Sequence, residues 1–449
     1  MTGPGVPRAE AVVDLSAIRR NTELLLGAVR RTHPAAGLMA AVKADGYGHG
    51  AAAVARAAIA GGATALGVAY PSEGVALAGA GVPVVAWLWG PGEDIGPAIA
   101  AGVHLVVSSI AQLDAITAAA PAGYPIHLKA DTGLGRGGSS KADLGPLVAA
   151  AAAAERSGAV RVVGLMSHLA NGDLPDHESV RDQLAEFRAF ADLATAAGLD
   201  PAWRHLANTP GALLYPETRF ELVRAGIGLL GIDPLDDGGG AALGLRPAMT
   251  LRAGVALVKR VPAGQGISYG HTHRTATETT LALVPLGYGD GIPRAAGNRA
   301  QVLLGGRLRR IAGRVAMDQF VVEVGDDPVH PGDEVILFGP GDRGEPTAND
   351  WGTACDTIGY EIVTRIGPRV PRRYVEDRFG SELDSPKEAP VSEPASESSE
   401  PRSDDSGTRR VSELASESSE PRSDDSGTQG VSEADHERHA PLKPDRRRA

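Results

Sequence analysis

The chain has 449 residues, 43% of them hydrophobic and 4% aromatic, and a formal net charge of -11 at pH 7. This charge argues against a nucleic-acid-binding surface, which needs a concentrated basic face, and the single cysteine, Cys355, excludes an intrachain disulfide framework. No apolar run reaches the roughly 20 residues of a membrane-spanning helix, and Met1–Glu10 contains no apolar segment of the signal-peptide kind. We therefore expect a cytoplasmic protein of two domains that binds neither nucleic acid nor membrane.

Short apolar runs alternate with alanine-rich stretches of helical spacing up to about residue 231. Eight runs are predicted to be strands: Leu38–Lys43, Ala65–Ala69, Pro83–Leu88, His104–Val107, Ile126–Lys129, Val162–Ser167, Trp203–Leu206 and Glu221–Arg224. In the helical stretch His177–Ala197, five apolar side chains fall on one face: Val180, Leu184, Phe187, Phe190 and Leu193. Eight strand–helix units predict an α/β fold, a (β/α)8 TIM-like barrel. The alternative is an open doubly wound sheet, which the lack of a GxGxxG sequence after the first strand disfavours.

Polar residues follow several of the predicted strands. In barrels of this class, catalytic and binding residues lie where the strands end and the next loops begin. Such residues stand at the first, fifth, sixth, seventh and eighth strand ends: Lys43, Lys129 with Asp131 and Arg136, His168, Asn208 with Thr209, and Arg224. The sequence therefore predicts one site on the C-terminal rim of the barrel.

The composition changes near residue 246. Six runs rich in β-branched residues follow, separated by Gly, Pro and Asp turns: Ala248–Arg260, Thr280–Pro285, Gln301–Leu304, Arg309–Ala312, Gln319–Val324 and Glu334–Phe338. We predict a barrel domain over residues 9–243 and a mainly β C-terminal domain over residues 244–380.

Residues 381–449 consist mostly of Ser, Glu, Pro, Asp and Arg. Val391–Thr408 recurs almost unchanged as Val411–Thr428, and residues 391–430 hold ten acidic residues and four arginines. Repeats that stack into a solenoid need apolar faces, which these repeats lack. We predict a disordered acidic tail.

Lys43 stands in the most informative segment of the chain, because residues 41–50 read AVKADGYGHG. A lysine that attacks a carbonyl must first lose its proton, and a partly desolvated amine at a strand end is suited to that reaction. The segment closely resembles the pyridoxal-phosphate (PLP) attachment motif of bacterial alanine racemases. The resemblance implies that Lys43 binds the cofactor covalently and that Tyr47 helps to hold its phosphate.

Two further barrel segments carry the same resemblance. Residues 221–227 read ELVRAGI, similar to the family's ELVRxGI, and residues 167–170 read SHLA, similar to its SHxA. Loops after the seventh and eighth strands are the usual phosphate-binding place in barrels, so Asn208 and Thr209 belong to the same site. The resemblance implies that Arg224 contacts the pyridine nitrogen and that His168 packs on the ring. It places three cofactor-phosphate contacts in this region: Thr209, Gly226 and Ile227.

Arg224 narrows the predicted chemistry. A guanidinium keeps its proton near neutral pH, so it donates to the ring nitrogen and leaves that nitrogen unprotonated. The cofactor is then a weaker electron sink, which suits racemisation and disfavours decarboxylation or transamination.

The loop after the fifth predicted strand reads KADTGLGRGG over residues 129–138. In the family, the arginine of this loop, here Arg136, contacts substrate and orients the catalytic tyrosine, and its lysine, here Lys129, is often carbamylated. Gly137 departs from the family pattern, in which a larger residue usually follows the arginine.

The C-terminal domain carries the remaining resemblance. Residues 266–270 read GISYG, and the family's tyrosine acid/base corresponds to Tyr269. A phenol has a pKa of about 10, so Tyr269 needs neighbours that stabilise phenolate, for which Arg136 and His168 are candidates. Met317-Asp318 resembles the substrate-carboxylate segment. Tyr288 and Tyr360 stand in segments that resemble the gate, and the resemblance implies that Tyr360 binds near the cofactor phosphate and the substrate. In the family, these segments reach the lysine of the other subunit, which implies a homodimer with shared sites.

The resemblance as a whole implies an alanine racemase of fold type III that interconverts L- and D-alanine for peptidoglycan synthesis. Lys43 and Tyr269 would be the two bases on opposite faces of Cα, and no metal is implied. Alternatives are a serine or broad-specificity racemase, a basic amino-acid decarboxylase, and a non-catalytic PLP-binding protein. Arg224 opposes the decarboxylase, and the C-terminal domain opposes the non-catalytic protein. A vestigial enzyme whose tail is an interaction module is a further alternative.

Overall fold

The computed structural model describes residues 7–235 and 242–376, which belong to one compact unit of the chain. The predicted tail, residues 381–449, lies outside the described residues, as do residues 377–380 of the predicted C-terminal domain. In the described ranges, none of the helices combines the length and the apolar character needed to span a membrane.

Strand β1 (Ala9–Asp14) comes first in the described chain, and the helix Leu15–Arg30 follows it. Asp14 caps this helix, because its Oδ1 accepts hydrogen bonds from the backbone N–H groups of Ser16 and Ala17. The helix packs beside the barrel, against the helix Ala51–Ala60.

Eight strands form a parallel sheet: β2 (Gly37–Ala41), β3 (Ala65–Val68), β4 (Val84–Ala86), β5 (His104–Val107), β6 (Tyr124–Lys129), β7 (Val160–Met166), β8 (Trp203–His205) and β9 (Leu222–Ala225). Their order is β8-β7-β6-β5-β4-β3-β2-β9. Beside the gap between β8 and β9, the backbone N–H of Arg224 donates to the carbonyl of Ala207 at 3.0 Å. The sheet is therefore a nearly closed barrel. The predicted (β/α)8 class is confirmed, and the open doubly wound alternative is wrong.

The segments between the barrel strands are mainly helical: Lys43–Gly48, Ala51–Ala60, Pro71–Val75, Gly96–Ala100, Ile110–Ala119, Lys141–Arg156, Glu178–Ala196 and Thr209–Leu214. Short 3-10 helices occur at Pro216–Thr218 and Ile227–Leu230. In Glu178–Ala196, four of the five residues predicted to share a buried face are buried, but Leu193 is 38% exposed. Ala194 takes the buried position instead, because 3.6 residues per turn bring it, rather than Leu193, back over Phe190.

The C-terminal domain contains ten strands after residue 248: β10 (Met249–Gly254), β11 (Leu257–Val261), β12 (Gly266–Ile267), β13 (His273–Arg274), β14 (Thr279–Val284), β15 (Gln301–Leu304), β16 (Arg307–Ala312), β17 (Phe320–Gly325), β18 (Glu334–Phe338) and β19 (Arg372–Val375). Helices lie at Ala348–Ala354 and Gly359–Thr364, and 3-10 helices at Tyr269–His271, Tyr288–Asp290 and Arg294–Ala296. The prediction of a mainly β domain is confirmed. The run Ala248–Arg260 contains two strands, β10 and β11.

The first strand of the chain belongs to the second sheet. The nine-stranded sheet has the order β11-β14-β17-β16-β15-β18-β10-β1-β19, so β1 lies between β10 and β19. Val12 is opposite Thr250 in the antiparallel pair and opposite Arg373 in the parallel one. Residues 9–14, which the sequence analysis assigned to the barrel domain, therefore complete the C-terminal sheet. The predicted domain limits as a whole stay a prediction.

Candidate active site

A cavity of about 430 Å³ opens at the carboxyl ends of the barrel strands. Ten of the thirteen predicted site residues line it: Lys43, Tyr47, Arg136, His168, Asn208, Thr209, Arg224, Gly226, Ile227 and Tyr360. The other three, Tyr269, Met317 and Asp318, are in the C-terminal domain and do not line it. Four of the lining residues are Lys or Arg, and none of the described residues that line the cavity is acidic. The cavity therefore suits an anionic ligand.

The backbone after Lys43 turns sharply and left-handed. Ala44, Asp45 and Tyr47 have φ angles of 52°, 54° and 55°, and Gly46 has 61°. Each non-glycine residue in this region costs about 1 kcal/mol or more, so the surrounding structure must hold the turn. The Ala44 N–H donates to Glu73 Oε1 at 2.7 Å, and the Ala51 N–H donates to Asp45 Oδ1 at 2.8 Å. The turn brings the Tyr47 ring to 5.8 Å from Lys43 Nζ.

The charges around the cavity favour a neutral lysine. Burial lowers the pKa of Lys43, and the nearby Arg136 and Arg224 lower it further, while Glu73 acts in the opposite direction. Burial, together with Arg224 and Arg136, lowers the pKa of Lys129 to about 8. The amine of Lys43 is therefore easier to deprotonate than an exposed lysine, as a nucleophile or a base requires. A neutral Lys129 amine is also the form that carbamylation requires.

The far end of the cavity is shaped to accept an oxyanion. Thr209 Oγ1 accepts from the Gly226 N–H at 3.0 Å, and Asn208 Oδ1 accepts from the Gly211 N–H at 3.0 Å. A Cβ at Gly226 would overlap the Tyr47 hydroxyl, so glycine is what lets that hydroxyl approach the loop. Burial raises the pKa of Tyr47 to about 12, so this phenol keeps its proton and can donate it to a hydrogen bond.

Arg224 is buried beneath the cavity and held through both Nη atoms. Nη1 donates to the His205 carbonyl at 2.5 Å and to His205 Nδ1 at 3.1 Å. Nη2 donates to the carbonyls of Ser167 and Leu206 and to His168 Nδ1 at 3.1 Å. The Nε–H finds no acceptor among the residues that the structure describes. Burial lowers the pKa of this guanidinium to about 9, which leaves it a cation near neutral pH.

Tyr269 lies on the surface of the C-terminal domain. It is 69% exposed and begins a short 3-10 helix. Ser268, just before this helix, and His271, its last residue, have φ angles of 57° and 44°. Ser268 Oγ donates to the Arg314 carbonyl at 2.7 Å and so anchors the segment. Its proposed phenolate partners, Arg136 and His168, line the Lys43 cavity instead. One chain therefore does not bring Lys43 and Tyr269 together in this cavity.

The Tyr288 and Met317 segments form one unit near the surface. The N–H groups of Tyr288 and Gly289 donate to the carbonyls of Ala316 and Met317 at 3.0 and 2.8 Å. Arg369 joins the same unit, because it pairs with Asp318 at 2.7 Å and with the buried Asp290 at 3.3 Å. The Met317 side chain is 53% exposed.

The structure corrects one expectation about the gate. Tyr360, which the resemblance grouped with the segments that reach the other subunit, lines the cavity of Lys43 in its own chain. It follows Gly359 at the start of the helix Gly359–Thr364, which contacts the turn after Lys43. Tyr269, Tyr288 and Met317, by contrast, are exposed at the surface of the C-terminal domain.

Comparisons with known proteins fit this architecture. The family model Alanine racemase, N-terminal domain, matches residues 13–234, and Alanine racemase, C-terminal domain, matches residues 248–374. The chain belongs to the alanine racemase family. The alanine racemase of Frankia casuarinae is 56% identical over 374 residues, which cover 82% of this chain and 96% of that protein. The alanine racemase of Streptomyces coelicolor is 52% identical over 383 residues, covering 83% and 97%.

Solved structures of alanine racemases resemble this one closely. That of the Streptomyces lavendulae enzyme has a TM-score of 0.80 and 50% identity, and the match covers 84% of this chain and 98% of that one. That of the Bartonella henselae enzyme has a TM-score of 0.72 and 26% identity, and the match covers 83% and 100%. The Bartonella structure contains covalently bound pyridoxal phosphate.

The cavity of this alanine racemase family member fits that cofactor. Its cations match a phosphate, the Gly226 loop leaves room for an oxyanion beside the Tyr47 hydroxyl, and the free Nε–H of Arg224 matches a ring-nitrogen acceptor. Lys43 has the lowered pKa that covalent attachment to an aldehyde requires.

The sequence analysis missed several residues around the site. Trp87 and Leu88 also line the cavity, and Glu73 holds the turn after Lys43. His127 and His205 lie fully buried beneath Arg224. For His127, the available signal was a histidine between Ile126 and Leu128 in a barrel strand, because a buried polar side chain needs a partner.

Proposed function

We propose that the protein interconverts L- and D-alanine by a two-base proton transfer at Cα, as a homodimer that binds PLP through Lys43. The observation that carries the proposal is the separation of the two bases. Lys43 lines a cavity that suits an anionic ligand, whereas Tyr269 is 69% exposed on the other domain. A second copy of the chain can supply that tyrosine to the cavity.

Each cofactor-binding residue of the barrel has a separate role in this proposal. The Tyr47 and Thr209 hydroxyls and the Ile227 N–H bind the phosphate, while Gly226 lets the Tyr47 hydroxyl approach and Asn208 holds the loop. The Nε–H of Arg224 donates to the ring nitrogen, and His168 lies against the ring. When bound, PLP withdraws electrons from the bond to the Cα proton, which makes that proton acidic.

Two bases are needed because a single base tends to return the proton to the face that it left. Lys43 Nζ is one base, since burial and two arginines lower its pKa. The Tyr269 phenolate of the other copy is the second, stabilised by Arg136 and His168. Tyr269 takes the proton from L-alanine and Lys43 returns one to the opposite face, while D-alanine reverses these roles.

The substrate carboxylate is held from the same second copy. The backbone N–H at Met317 donates to it, and Asp318, fixed by Arg369, shapes that segment. Arg136 and Tyr360 contact the substrate from the barrel side. This arrangement makes the site incomplete in a monomer.

We further propose that the reaction takes place in the cytoplasm and supplies D-alanine for peptidoglycan. Deletion of the gene in its host should make growth depend on added D-alanine. Growth without it, in a strain with no second racemase, would contradict the proposed cellular role.

Incubation of the purified holoenzyme with L-alanine in deuterated water tests the reaction. We expect optical rotation to be lost while deuterium enters at Cα. Release of carbon dioxide or of keto acid in place of deuterated alanine would exclude racemisation as the main activity. L-serine in the same assay tests the broad-specificity alternative, for which we expect a much lower rate.

A further inference from the structure

Three histidines occupy the interior of the barrel beneath Arg224. They are His104 on β5, His127 on β6 and His205 on β8. His127 and His205 have no solvent exposure. Barrel interiors of this class are usually filled by Val, Ile and Leu, so a row of imidazoles there needs a physical reason.

The barrel makes room for this row. Gly164 on β7 lies against His127, and a Cβ at that position would overlap the imidazole ring. The pairing of β6 with β7 also shifts register between Ile126 and His127. Trp203 packs on the outer part of the row, with ring centroids 5.9 Å from His127 and 6.4 Å from His104. The inner part of the row, His127 and His205, is therefore enclosed by protein, whereas His104 at the outer end is half-buried.

The nitrogen atoms of the row are spaced for hydrogen bonds from end to end. Arg224 Nη1 is 3.1 Å from His205 Nδ1, and His205 Nε2 is 3.0 Å from His127 Nδ1. His127 Nε2 is 3.4 Å from His104 Nδ1, a longer contact at the outer end. A guanidinium only donates, so His205 Nδ1 must accept. A neutral His205 must then carry its proton on Nε2 and donate it to His127 Nδ1. For the same reason His127 carries its proton on Nε2 and donates it to His104 Nδ1.

The surroundings oppose a proton on any of these rings. The charged groups that face the row are Arg224, Lys129 and Arg161, all cations. Burial and these charges lower the pKa of His104 to about 4 and hold those of His127 and His205 well below the ordinary value. A second proton on His205 or His127 would also place two donors against each other. The row is neutral and runs in one direction.

We propose that His127 and His104 are positioning residues for Arg224. Together with His205 they form a row of neutral imidazoles, each of which accepts at Nδ1 and carries its proton on Nε2. This row fixes the guanidinium of Arg224 so that its Nε–H stays free for the cofactor ring. The inference rests on the proposed contact of Arg224 with that ring. The carbonyls of Ser167, His205 and Leu206 hold the guanidinium together with the row. The row excludes the Nδ1–H tautomer of His205, which would turn a donor toward Nη1 of Arg224.

A change at His127 should act on the reaction through Arg224. In His127→Leu, His205 Nε2–H loses its acceptor, and the Nδ1–H tautomer becomes accessible. Arg224 then holds the ring nitrogen less well, so pyruvate formation by transamination should increase relative to racemisation. We expect kcat to fall roughly tenfold with KM little changed. This is the usual effect of removing a residue that orients a functional residue but does not itself touch the ligand.

Two further variants separate positioning from packing. His127→Asn keeps a carbonyl oxygen that can accept from His205, so it should restore most of the ratio of racemisation to pyruvate formation. Val106→Ala removes buried volume from the same barrel interior without removing a side-chain hydrogen bond. It should lower the melting temperature and leave that ratio unchanged. Equal changes of the ratio in Val106→Ala and His127→Leu would overturn the proposal.

The direct test is the tautomer of each ring in the wild-type holoenzyme, measured by ¹H–¹⁵N NMR with labelled histidine between pH 6 and 9. We expect His205 and His127 to be neutral Nε2–H tautomers throughout, and His205 in His127→Leu to gain Nδ1–H character. An Nδ1–H or charged His205 in the wild type overturns the inference even if the enzyme racemises alanine. If the wild type does not racemise alanine, that result contradicts the proposed function. The tautomers of His205 and His127 then still decide whether the row has the proposed direction.

Discussion

The barrel mouth and the Tyr269 segment hold the two proposed bases in opposite ways. Around Lys43, polar groups are buried, the backbone turn is held by Glu73 and Asp45, and Arg224 is fixed through both Nη atoms. Tyr269 instead lies exposed on a short 3-10 helix, and its segment is anchored by Ser268. The barrel is thus organised for the cofactor within one chain, whereas the tyrosine stays exposed at the surface of the C-terminal domain.

Of the changes that test this difference between the two regions, removal of Lys43 should lower the racemisation rate most. In Lys43→Ala, racemisation should fall by more than about 1,000-fold, because both the covalent attachment and one base are lost. The absorbance band that PLP gives on binding the wild type should also disappear. The matched control is Lys141→Ala, an exposed lysine paired with Glu186, which should behave as wild type. A band that survives in Lys43→Ala would assign the attachment to another amine.

Loss of the tyrosine hydroxyl should separate catalysis from cofactor binding. In Tyr269→Phe, proton removal from L-alanine should slow by about 100- to 10,000-fold, the usual contribution of a positioned general base. PLP absorbance should be unchanged, because Tyr269 is not among the residues proposed to hold the cofactor. The measurement is deuterium incorporation at Cα together with the absorbance spectrum. Near-wild-type incorporation would exclude Tyr269 as the second base.

A methyl group on the phosphate loop should affect the barrel site alone. In Gly226→Ala, the new Cβ meets the Tyr47 hydroxyl, so the Kd for PLP should increase roughly tenfold, the equivalent of about one good hydrogen bond. Gly145→Ala is the control. Gly145 lies inside the helix Lys141–Arg156 with no atom within 4 Å of the new Cβ, and this change should stabilise the fold slightly. Unchanged PLP affinity in Gly226→Ala would remove this loop from the phosphate site.

The buried histidines should make the barrel the acid-sensitive region. Burial lowers the pKa values of five histidines, all of them in the barrel: His49, His104, His127, His168 and His205. The pKa of His49 falls to about 4. The folded state holds this ring neutral, while the unfolded state takes up a proton below about pH 6.5. The free energy of unfolding should therefore fall as the pH drops from about 6.5 toward 4.

His49→Asn isolates this smallest effect, because Asn can still donate to the Tyr47 carbonyl that His49 Nδ1 contacts at 2.9 Å. Between pH 7 and 4, the variant should lose roughly 3 kcal/mol less stability than the wild type. Urea unfolding at a series of pH values measures the difference. Parallel curves for the two proteins would show that His49 does not titrate on unfolding.

Local patterns predicted the parts of the molecule that local forces determine. The eight barrel strands follow from apolar runs, and the rim residues follow from their position at strand ends. The pairing of β1 with β10 and β19 joins residues more than 200 apart, and no local pattern encodes such a register. Leu193 was placed on the buried face for a different reason, because at 3.6 residues per turn Ala194 rather than Leu193 returns to the face of Phe190.

In the candidate site, too, the residues in local motifs could be predicted, whereas features that depend on contacts between distant segments could not. Lys43, Arg224 and Thr209 could be named from motifs, because each motif lies at the end of one strand. The left-handed turn after Lys43 could not, since Ala44 and Tyr47 ordinarily avoid positive φ and are held there by contacts from Glu73 and others. The histidine row also escaped prediction, because its three members come from three separate strands.

Mixed dimers test the central claim, that Lys43 and Tyr269 of different chains form one site. Lys43→Ala and Tyr269→Phe chains, each inactive alone, should regain activity when they are unfolded together and refolded. Each mixed dimer has one site with both bases, so random pairing should restore roughly a quarter of wild-type activity. Chains that carry both substitutions, mixed with wild type, should show no such gain. If the first mixture stays inactive although mass spectrometry detects mixed dimers, the two bases do not come from different chains.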